Sequence, residues 1–364
     1  MKRIAIIGAS TGQLPLCKKA HEMGLESYCF AWPKDAICKE YVDHFIPISI
    51  FEMDEIVRYC QEINVDGVVS NASETTALVV AYVAEKLGKQ ATSYQAILNI
   101  QNKEFVRQKT NGIEGLGHVR FTVGKLNDII PTFPYPYVLK PLKGASKKGV
   151  NFVSGIKSCI TVPDDLKDGL FMAEEYISGQ EYSIESISFN DRHDIIQITE
   201  KVTTGAPHFV ELEHHQPAHL SPSIEKKIRN IIPPILSSVN FSNGASHIEI
   251  KVNDQGDVYL IEVNPRGGGD YISNDLVSLS TDYDYLKQMI LVALGEYNPV
   301  AVHVAYAGIY FLSAYTKRLL PYFNIPLANW MVRRERKTGE LTVSSSNYDR
   351  DGFIIYCSDK KIVL

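Results

Sequence analysis

The stretch from His247 to Asp270 constrains the fold of this chain more than any other part. It reads HIEIKVNDQGDVYLIEVNPRGGGD. Two strand-like segments flank the turn-forming residues NDQGD, so the pattern predicts a β-hairpin. Glu249 and Glu262 stand on opposite strands, and the hairpin would bring both carboxylates to one face. Asn264 follows Glu262 by two positions and projects to that same face if the strand continues.

These three side chains offer only oxygen ligands, which suit Mg²⁺, with Mn²⁺ as the alternative ion. Arg266 comes two positions after Asn264 and would stabilise charge that develops in a reaction. For Glu249 alone, an exposed hairpin with charges on its solvated side is the simpler interpretation. Glu262 instead lies within the apolar run VYLIEVNP, where burying a carboxylate without a partner or a metal is costly. The sequence therefore predicts a magnesium site.

Composition limits the class of protein. The chain has 364 residues, so two or three domains are expected. A net charge of −5 gives no basic surplus and argues against nucleic acid as a partner. The apolar runs are too short for a membrane helix or a signal peptide, so we expect no membrane contact. Six cysteines without metal-ligand spacing indicate free thiols and a cytoplasmic protein.

Residues 1–95 alternate between strand-like and helix-like segments, which predicts a parallel sheet covered by helices. The first turn, GASTG, lacks the full GxGxxG pattern, and no ribose-binding acid follows the second strand. A dinucleotide site is therefore the weaker alternative. Polar residues at the strand ends are candidates for holding a small substrate; they are Ser10, Asn71, Ser73 and Glu74.

Two segments place cations where phosphates would bind. In NKEFVRQ, Lys103 and Arg107 share a helix face, although a solvated face would show the same spacing. In YPYVLKPLKGASKKGVNFV, Lys140 ends an apolar strand and needs an anionic partner, which a nucleotide phosphate would provide. A basic loop follows this strand and contains Ser146, Lys147, Lys148 and Gly149. This loop is either an ordinary exposed turn or a segment that covers bound phosphates.

The segment LFMAEEYISGQEYSIES predicts two strands around a turn. Glu174, Glu175 and Glu181 are acids that would accept hydrogen bonds from ribose or adenine. The backbone of Tyr176 and Ile177 would read the edge of adenine.

The segment HFVELEHHQPAH carries four histidines. It lacks the ligand spacing of structural and catalytic zinc sites, so zinc is the weaker alternative. A substrate loop is favoured, in which Glu211 binds an ammonium group and His214 orients it or takes a proton.

The pattern after the loop predicts a helix over 223–238, interrupted near Pro233 and Pro234. From residue 302 onward, the segments VAYAGIYFLSA, ELTVSSSN and GFIIYCS predict a small β-rich C-terminal lobe without a site motif. Its apolar strands suggest the surface of a homodimer.

Taken in order, these elements resemble the ATP-grasp superfamily of carboxylate–amine ligases over residues 1–295. The motifs FVExxHxxP and RGGGDYI look most like the L-amino-acid ligases, which make dipeptides. The resemblance implies a multidomain α/β and α+β fold. Its parts are a Rossmann-like N-terminal domain (1–95), an ATP-grasp small subdomain with a linker helix (96–180), a large subdomain with the metal site (181–298) and a β-rich C-terminal lobe (299–364).

The resemblance also implies a role for each matching residue. ATP would contact Lys103, Lys140, Ser146, Lys148, Gly149, Tyr176, Ile177 and Glu181. Either Glu174 or Glu175 would line its adenine pocket. Glu249, Glu262 and Asn264 would hold Mg²⁺, as two ions. Arg266 and Lys147 would act in catalysis. The substrate would contact Glu211, His214, Arg266, Gly268 and Asp270, the last at a position that varies with specificity in the family.

The implied reaction joins a small-molecule carboxylate to an amine through an acyl phosphate, giving an amide, ADP and phosphate. One alternative is an ATP-grasp enzyme of the purine or carbamoyl-phosphate pathways, for which the sequence shows no bicarbonate or phosphoribosyl site. Another is a non-catalytic ATP-binding regulator. The intact set of metal carboxylates and Arg266 argues against that alternative.

Overall fold

The structure is a computed structural model that describes residues 1–144, 148–337 and 339–364. It contains one parallel and two antiparallel sheets. The predicted roles of Ser146 and Lys147 fall outside the described residues. None of the helices in the described parts has the length and apolar character to cross a bilayer.

The N-terminal sheet is parallel, with the strand order β3-β2-β1-β4. Its strands are β1 (Arg3–Ile7), β2 (Glu26–Phe30), β3 (His44–Ile46) and β4 (Gly67–Val69). The helices of this part are α1 (Leu14–Glu22), α2 (Met53–Glu62) and α3 (Glu74–Leu87). Consecutive residues of β1 are buried on both faces, as expected for a parallel sheet between helices. The predicted parallel N-terminal sheet is confirmed.

A small antiparallel sheet follows, with the order β5-β8-β6-β7. It is preceded by α4 (Tyr94–Ile100) and α5 (Lys103–Thr110), and its strands are β5 (Phe121–Lys125), β6 (Tyr137–Pro141), β7 (Asn151–Val153) and β8 (Leu170–Glu175). The side chain of Asn102 accepts hydrogen bonds from two backbone N–H groups and fixes the start of α5. This start places Lys103 and Arg107 one turn apart, facing the sheet.

The large sheet is antiparallel and has eight strands in the order β13-β12-β9-β10-β11-β14-β16-β15. They are β9 (Gln180–Phe189), β10 (Arg192–Thr203), β11 (Glu211–Gln216), β12 (Gly244–Val252), β13 (Val258–Asn264), β14 (Tyr306–Leu312), β15 (Met331–Arg336) and β16 (Gly352–Ser358). The helices of this part are α6 (Pro222–Ser238), α7 (Val277–Thr281), α8 (Tyr285–Ala293) and α9 (Leu320–Phe323).

Helix α6 runs without a break through Pro233 and Pro234, so the predicted interruption is wrong. Two prolines remove backbone donors and disfavour a helix interior. However, Ile231, Ile232 and Ile235 on the same helix are buried in the hydrophobic core. The burial of this apolar face outweighs the local penalty.

The C-terminal strands extend the large sheet. Strands β14 and β16 are interior strands with mostly buried residues, so they do not provide the exposed apolar surface that suggested a homodimer. The predicted strand over 340–347 is wrong, and β15 was not predicted. Side chains satisfy the backbone of this segment instead, because Asp351 accepts from the N–H of Thr342 and Asp349 from the N–H groups of Ser345 and Ser346.

Candidate active site

A cleft with an open volume of ≈ 1050 Å³ lies between the small sheet and the large sheet. It brings together many of the residues that the sequence singled out. They are Lys103, Lys140, Lys148, Glu174, Glu175, Tyr176, Ile177, Glu181, Glu249 and Glu262. Arg107, Lys201, Phe209 and Lys251 also line it. Acidic and basic groups therefore converge on one cleft from two separate sheets.

Glu249 and Glu262 are direct cross-strand partners in the hairpin of β12 and β13. Both carboxylates line the cleft, with side chains that are 24% and 33% exposed. Oε1 of Glu262 lies 3.5 Å from Nζ of Lys103. The pair therefore presents oxygen ligands toward open space, next to a cation that balances their charge.

Behind Glu249, His247 lies between two carboxylates. Its Nε2 is 3.3 Å from Oε1 of Glu249, and its Nδ1 is hydrogen bonded to Glu185. Burial opposes the charge on this ring, but the neighbouring Glu185 and Glu249 outweigh it and raise the pKa of His247 to about 9. Glu185 also accepts a hydrogen bond from the backbone N–H of Gly268 at 3.0 Å. This buried network links a candidate metal ligand to the glycine-rich loop.

The glycine-rich loop packs too closely for side chains at two of its positions. A Cβ atom at Gly268 would lie 2.8 Å from side-chain atoms of Glu185 and His247, and one at Gly267 would lie 2.5 Å from Oδ1 of Asn71. Gly268 therefore has a packing role. Its predicted substrate contact stays a prediction.

Asn264 and Arg266 lie at the end of this hairpin. Asn264 is 1% exposed, and Oδ1 of Asn264 is 3.5 Å from Nη2 of Arg266. The guanidinium group of Arg266 also donates to the carbonyl of Gly267 at 3.0 Å. Nη2 of Arg266 lies 4.0 Å from Glu74, so the N-terminal domain contributes an acid to this side of the site.

The other strand-end candidates of the N-terminal domain have different positions. The amide of Asn71 donates to Ser273 at 3.2 Å and to Asn274 at 2.9 Å, just after the glycine-rich loop. Ser10 is hydrogen bonded to Gln13 within its own turn, and Ser73 caps α3. Asn71 and Glu74 thus reach the site, whereas Ser10 and Ser73 stabilise local structure.

Glu174 holds two cations in the wall of the cleft. Its carboxylate oxygens lie 2.5 Å from Nε of Arg107 and 2.5 Å from Nζ of Lys140. Burial opposes the negative charge of Glu174, but Arg107 and Lys140 outweigh it and lower the pKa of this carboxyl to about 2. Arg107 is buried, so the solvated-face interpretation of its helix is wrong. The anionic partner that Lys140 requires is present within the chain.

Lys201 on β10 is a site residue that the sequence analysis missed. It is 4% exposed, and its Nζ lies 2.7 Å from Glu249 and 3.1 Å from Glu211. Burial opposes the charge of Lys201, but these carboxylates outweigh it and raise the pKa well above its ordinary value. A lysine inside a half-buried strand was the available signal, and it is the same signal that identified Lys140.

The aromatic rings of Tyr176 and Phe209 line one part of the cleft. The ring of Tyr176 is 5.0 Å from that of Phe152 and 6.2 Å from that of Phe209, measured between centroids. Nζ of Lys251 lies 4.7 Å from the Tyr176 centroid, donates to the carbonyl of Ile177 at 3.1 Å, and lies 3.3 Å from Glu181. Such a platform, with a backbone edge and an acid beside it, suits a planar base and its ribose.

Glu175, the other candidate for the adenine pocket, is paired with Arg120. Its two oxygens accept hydrogen bonds from the backbone N–H and from Nε of Arg120, at 2.8 and 2.7 Å. Because Glu174 and Glu175 both hold protein cations, the backbone of Tyr176 and Ile177 is favoured as the edge that reads a base.

The described ends of the basic loop lie at the mouth of the cleft. Lys103 donates to the carbonyl of Gly144 at 2.9 Å. Nζ of Lys148 is 2.6 Å from the exposed carboxylate of Asp165. Gly149 has a φ of 74°, which favours glycine. Both sides of this loop therefore meet the cleft where Lys103 and Lys140 point into it.

Glu211, His214 and Asp270 converge beyond Lys201, with one ligand atom of each within 4.8 Å of the others. Glu211 is paired with Lys201, and Asp270 is paired with Arg350. These ion pairs favour an internal charge network over a metal site. Burial lowers the pKa of His214 and outweighs the opposing effect of Asp270 and Glu211.

Arg350 and Asn347 come from the C-terminal region, in which the sequence analysis found no site motif, yet both contact predicted substrate residues. Arg350 binds Asp270, and Asn347 binds both Glu211 and Asp270. They lie in the polar turn NYDR, which matches no motif. Only the path of the chain past the end of β11 brings them here.

Comparison with known proteins agrees with this geometry. The family model described as "ATP-grasp domain" matches residues 133–275. The chain contains an ATP-grasp domain. Strands β6 to β13 lie within the matched residues, whereas Lys103, Arg107, Asn347 and Arg350 lie outside them.

Similar proteins include the alanine–anticapsin ligase of Bacillus amyloliquefaciens, which is 26% identical to this chain over 294 residues. The aligned region covers 69% of this chain and 61% of the relative. The chain thus spans about three fifths of the length of this relative. A crystal structure of an L-amino acid ligase from Bacillus licheniformis superposes with a TM-score of 0.77 at 22% identity and covers 99% of this chain and 94% of that chain.

The phosphoribosylglycinamide synthetase of Anaerococcus prevotii has a TM-score of 0.76 at 17% identity, covering 99% of this chain and 94% of that chain. At these identities the superpositions establish the fold alone. They confirm the predicted ATP-grasp fold with its N-terminal parallel sheet.

Proposed function

We propose that the protein is an ATP-dependent carboxylate–amine ligase that forms an amide bond, with amino acids or similar metabolites as substrates. One observation carries the proposal. The paired carboxylates Glu249 and Glu262 face the cations Lys103 and Lys140 across a single cleft. Similarity to relatives named alanine–anticapsin ligase and L-amino acid ligase supports amino-acid substrates.

The cleft offers a position for each part of ATP. The rings of Tyr176 and Phe209 and the backbone of Ile177 would contact the adenine, and Glu181 would accept hydrogen bonds from the ribose. Lys103 and Lys140 would neutralise the phosphates. Buried cations beside an open space bind anions strongly because little water screens them.

Glu249, Glu262 and Asn264 would hold Mg²⁺. The fit rests on the donor set, since both carboxylates face the cleft and oxygen ligands suit this ion. When bound, Mg²⁺ would neutralise charge on the transferring phosphoryl group. His247 would keep Glu249 oriented through the hydrogen bond at its Nε2.

The reaction would proceed in two displacements. An oxygen of the substrate carboxylate attacks the γ-phosphorus, and the bond from that phosphorus to the bridging oxygen breaks to release ADP. The amine nitrogen then attacks the acyl carbon, loses its proton and displaces phosphate. Arg266 would donate hydrogen bonds to the negative oxygen that develops in the second step. Catalysis would therefore depend on positioning and electrostatics.

The test is phosphate release from ATP and Mg²⁺ with amino acids supplied singly and in pairs, followed by mass spectrometry of the products. We expect release that requires two amino acids and a product whose mass is their sum minus water. The Glu262→Gln variant, which we expect to be inactive, is the negative control for phosphate release. Release with bicarbonate or a ribosylamine would indicate the purine or carbamoyl-phosphate alternative. Tight ATP binding without release in any mixture would indicate a regulator.

A further inference from the structure

Two adjacent residues after the glycine-rich loop have a backbone conformation that L side chains rarely adopt. Asp270 has a φ of 50° and Tyr271 a φ of 66°. Asp tolerates this left-handed region better than most residues, but an aromatic residue there is an outlier that the surrounding structure must enforce. The turn directly follows Arg266 and its three glycines. Its conformation therefore determines where the loop that carries Arg266 ends.

The C-terminal segment holds this turn on its polar side. Nη2 of Arg350 lies 2.5 Å from Oδ1 of Asp270, and Nη1 of Arg350 lies 3.1 Å from Oδ2. The guanidinium group stacks on Phe311 at 3.6 Å from the ring centroid. A bidentate ion pair with a stacked guanidinium fixes both the orientation of the Asp270 carboxylate and its distance from Arg350. A lysine would fix only the distance.

Asn347 adds a second link. Its Nδ2 lies 3.3 Å from Oδ2 of Asp270 and binds the carboxylate of Glu211, while its Oδ1 accepts from the backbone N–H of Glu211 at 3.1 Å. Arg350 also donates to the carbonyl of Glu211 at 3.4 Å. We call Asn347 and Arg350 the C-terminal clamp, since together they join the turn at Asp270 to the start of β11.

The other side of the turn is held through Tyr271. Its ring packs against Phe353 with 4.5 Å between centroids and the two planes tilted by 39°, and the guanidinium group of Arg333 lies 5.1 Å from the Tyr271 centroid. Residues from three places in the C-terminal region thus converge on two residues of the turn. The loop that precedes this turn is also fixed at its other end, where Gly268 donates to Glu185.

We propose that the C-terminal clamp is a positioning device for the amide-forming step, and that Arg350 keeps Arg266 aimed at the developing negative oxygen by locking the turn at Asp270. This inference rests on the proposed function. It assigns a role to the C-terminal region beyond the family-matched residues, and it explains why an acid stands at position 270. Arg350 is a positioning residue, because it acts through Asp270.

The test compares Arg350→Ala, Arg350→Lys, Asp270→Asn and the double variant Arg350→Ala/Asp270→Asn. Asn is chosen at 270 because it tolerates the left-handed region while removing the charge. Arg336→Ala is the matched control, since Arg336 is an exposed arginine of neighbouring β15. Hydrogen exchange of a peptide spanning residues 266–276 is measured together with kcat and the KM values for ATP and the amino acids.

We expect Arg350→Ala to speed exchange in this peptide and to lower kcat by about 100-fold, the cost of a small misplacement of a reacting group. The KM for ATP should change less than about twofold, because the clamp does not touch the nucleotide cleft. Arg350→Lys should recover only part of kcat. The double variant should lose no more than the worse single variant, because both changes break one link.

If hydrogen exchange of the 266–276 peptide is unchanged in Arg350→Ala, the clamp does not hold the turn. If the losses in kcat are additive in the double variant, Arg350 does not act through Asp270. If Arg350→Ala does not fold, hydrogen exchange and kcat of Arg350→Lys and Asp270→Asn test the same proposal. Hydrogen exchange needs no turnover, so it tests the clamp even if no pair of substrates is ligated. That outcome would count against the proposed function alone.

Discussion

The ammonium group of Lys201 lies 2.7 Å from Oε1 of Glu249 and is almost fully buried. The same group lies 3.1 Å from Glu211, so it joins the proposed metal ligands to the predicted substrate residues. A single buried cation therefore balances acids in both halves of the site. Removing it should affect both halves together.

We expect Lys201→Met to destabilise the protein by roughly 3–5 kcal/mol, the usual cost of removing one partner of a buried ion pair. Phosphate release should fall as well, because Glu249 loses the neighbour that orients it. Urea denaturation and the phosphate assay measure the two effects. Lys226→Met on the exposed face of α6 is the control and should change neither. Wild-type stability in Lys201→Met would contradict the buried ion pair.

Glu262→Gln should abolish turnover in a protein that stays folded. The amide has the same shape as the carboxylate but removes one negative charge from the proposed metal ligands. Phosphate release is measured over a Mg²⁺ titration, and circular dichroism verifies the fold. Glu225→Gln, on the surface of α6, is the matched control. Full activity of Glu262→Gln at ordinary Mg²⁺ would rule out the metal assignment.

Arg266→Ala should lower kcat far more than the affinity for ATP. Removing one donor to a developing oxyanion costs about 10²–10³ in kcat, and Arg266 does not line the nucleotide cleft. Steady-state kinetics and equilibrium binding of ATP separate the two quantities. If both fall equally, Arg266 is a binding residue only.

Glu174→Gln should destabilise the fold by roughly 3–5 kcal/mol, because Arg107 and Lys140 would remain buried without their counter-charge. Chemical denaturation at neutral pH measures the loss. Asp165→Asn is a suitable control, since its pair with Lys148 is exposed and contributes little. An unchanged denaturation midpoint in Glu174→Gln would mean that water screens the charges of Arg107 and Lys140.

The same carboxyl gives a pH dependence with a definite sign. The pKa of Glu174 is about 2 in the folded protein, compared with an ordinary value of 4.5. Its contribution to stability is therefore complete above pH 4.5 and is lost as the pH falls from 4.5 through 2. The stability difference between the wild type and Glu174→Gln should shrink across that window. A constant difference would show that the pKa of Glu174 is not lowered.

Local patterns predicted the elements that carry the proposed nucleotide and metal sites. The alternation in HIEIKV and VYLIEV determined a hairpin, and the register of that hairpin paired Glu249 with Glu262. Lys140 was identified because a lysine in an apolar strand needs a partner. The sequence did not reveal that Glu174 is this partner, because the pairing depends on how β6 lies beside β8.

The C-terminal residues Asn347 and Arg350 were missed because their positions depend on long-range topology. Arg350 meets Asp270 only because β14 and β16 continue the large sheet beyond β11. No local pattern in NYDR distinguishes it from an ordinary surface turn. The predicted break in α6 failed for a related reason, since the proline penalty is local and the core contacts that outweigh it are not.

The C-terminal strands belong to the large sheet, and this limits where the protein can be truncated. A fragment limited to the family-matched residues 133–275 would lack β5 and β14, leaving β8 and β11 with open edges. Open strand edges pair with other molecules and promote aggregation. A recombinant fragment with those boundaries should therefore precipitate or form inclusion bodies, although it keeps every residue of the central hairpin.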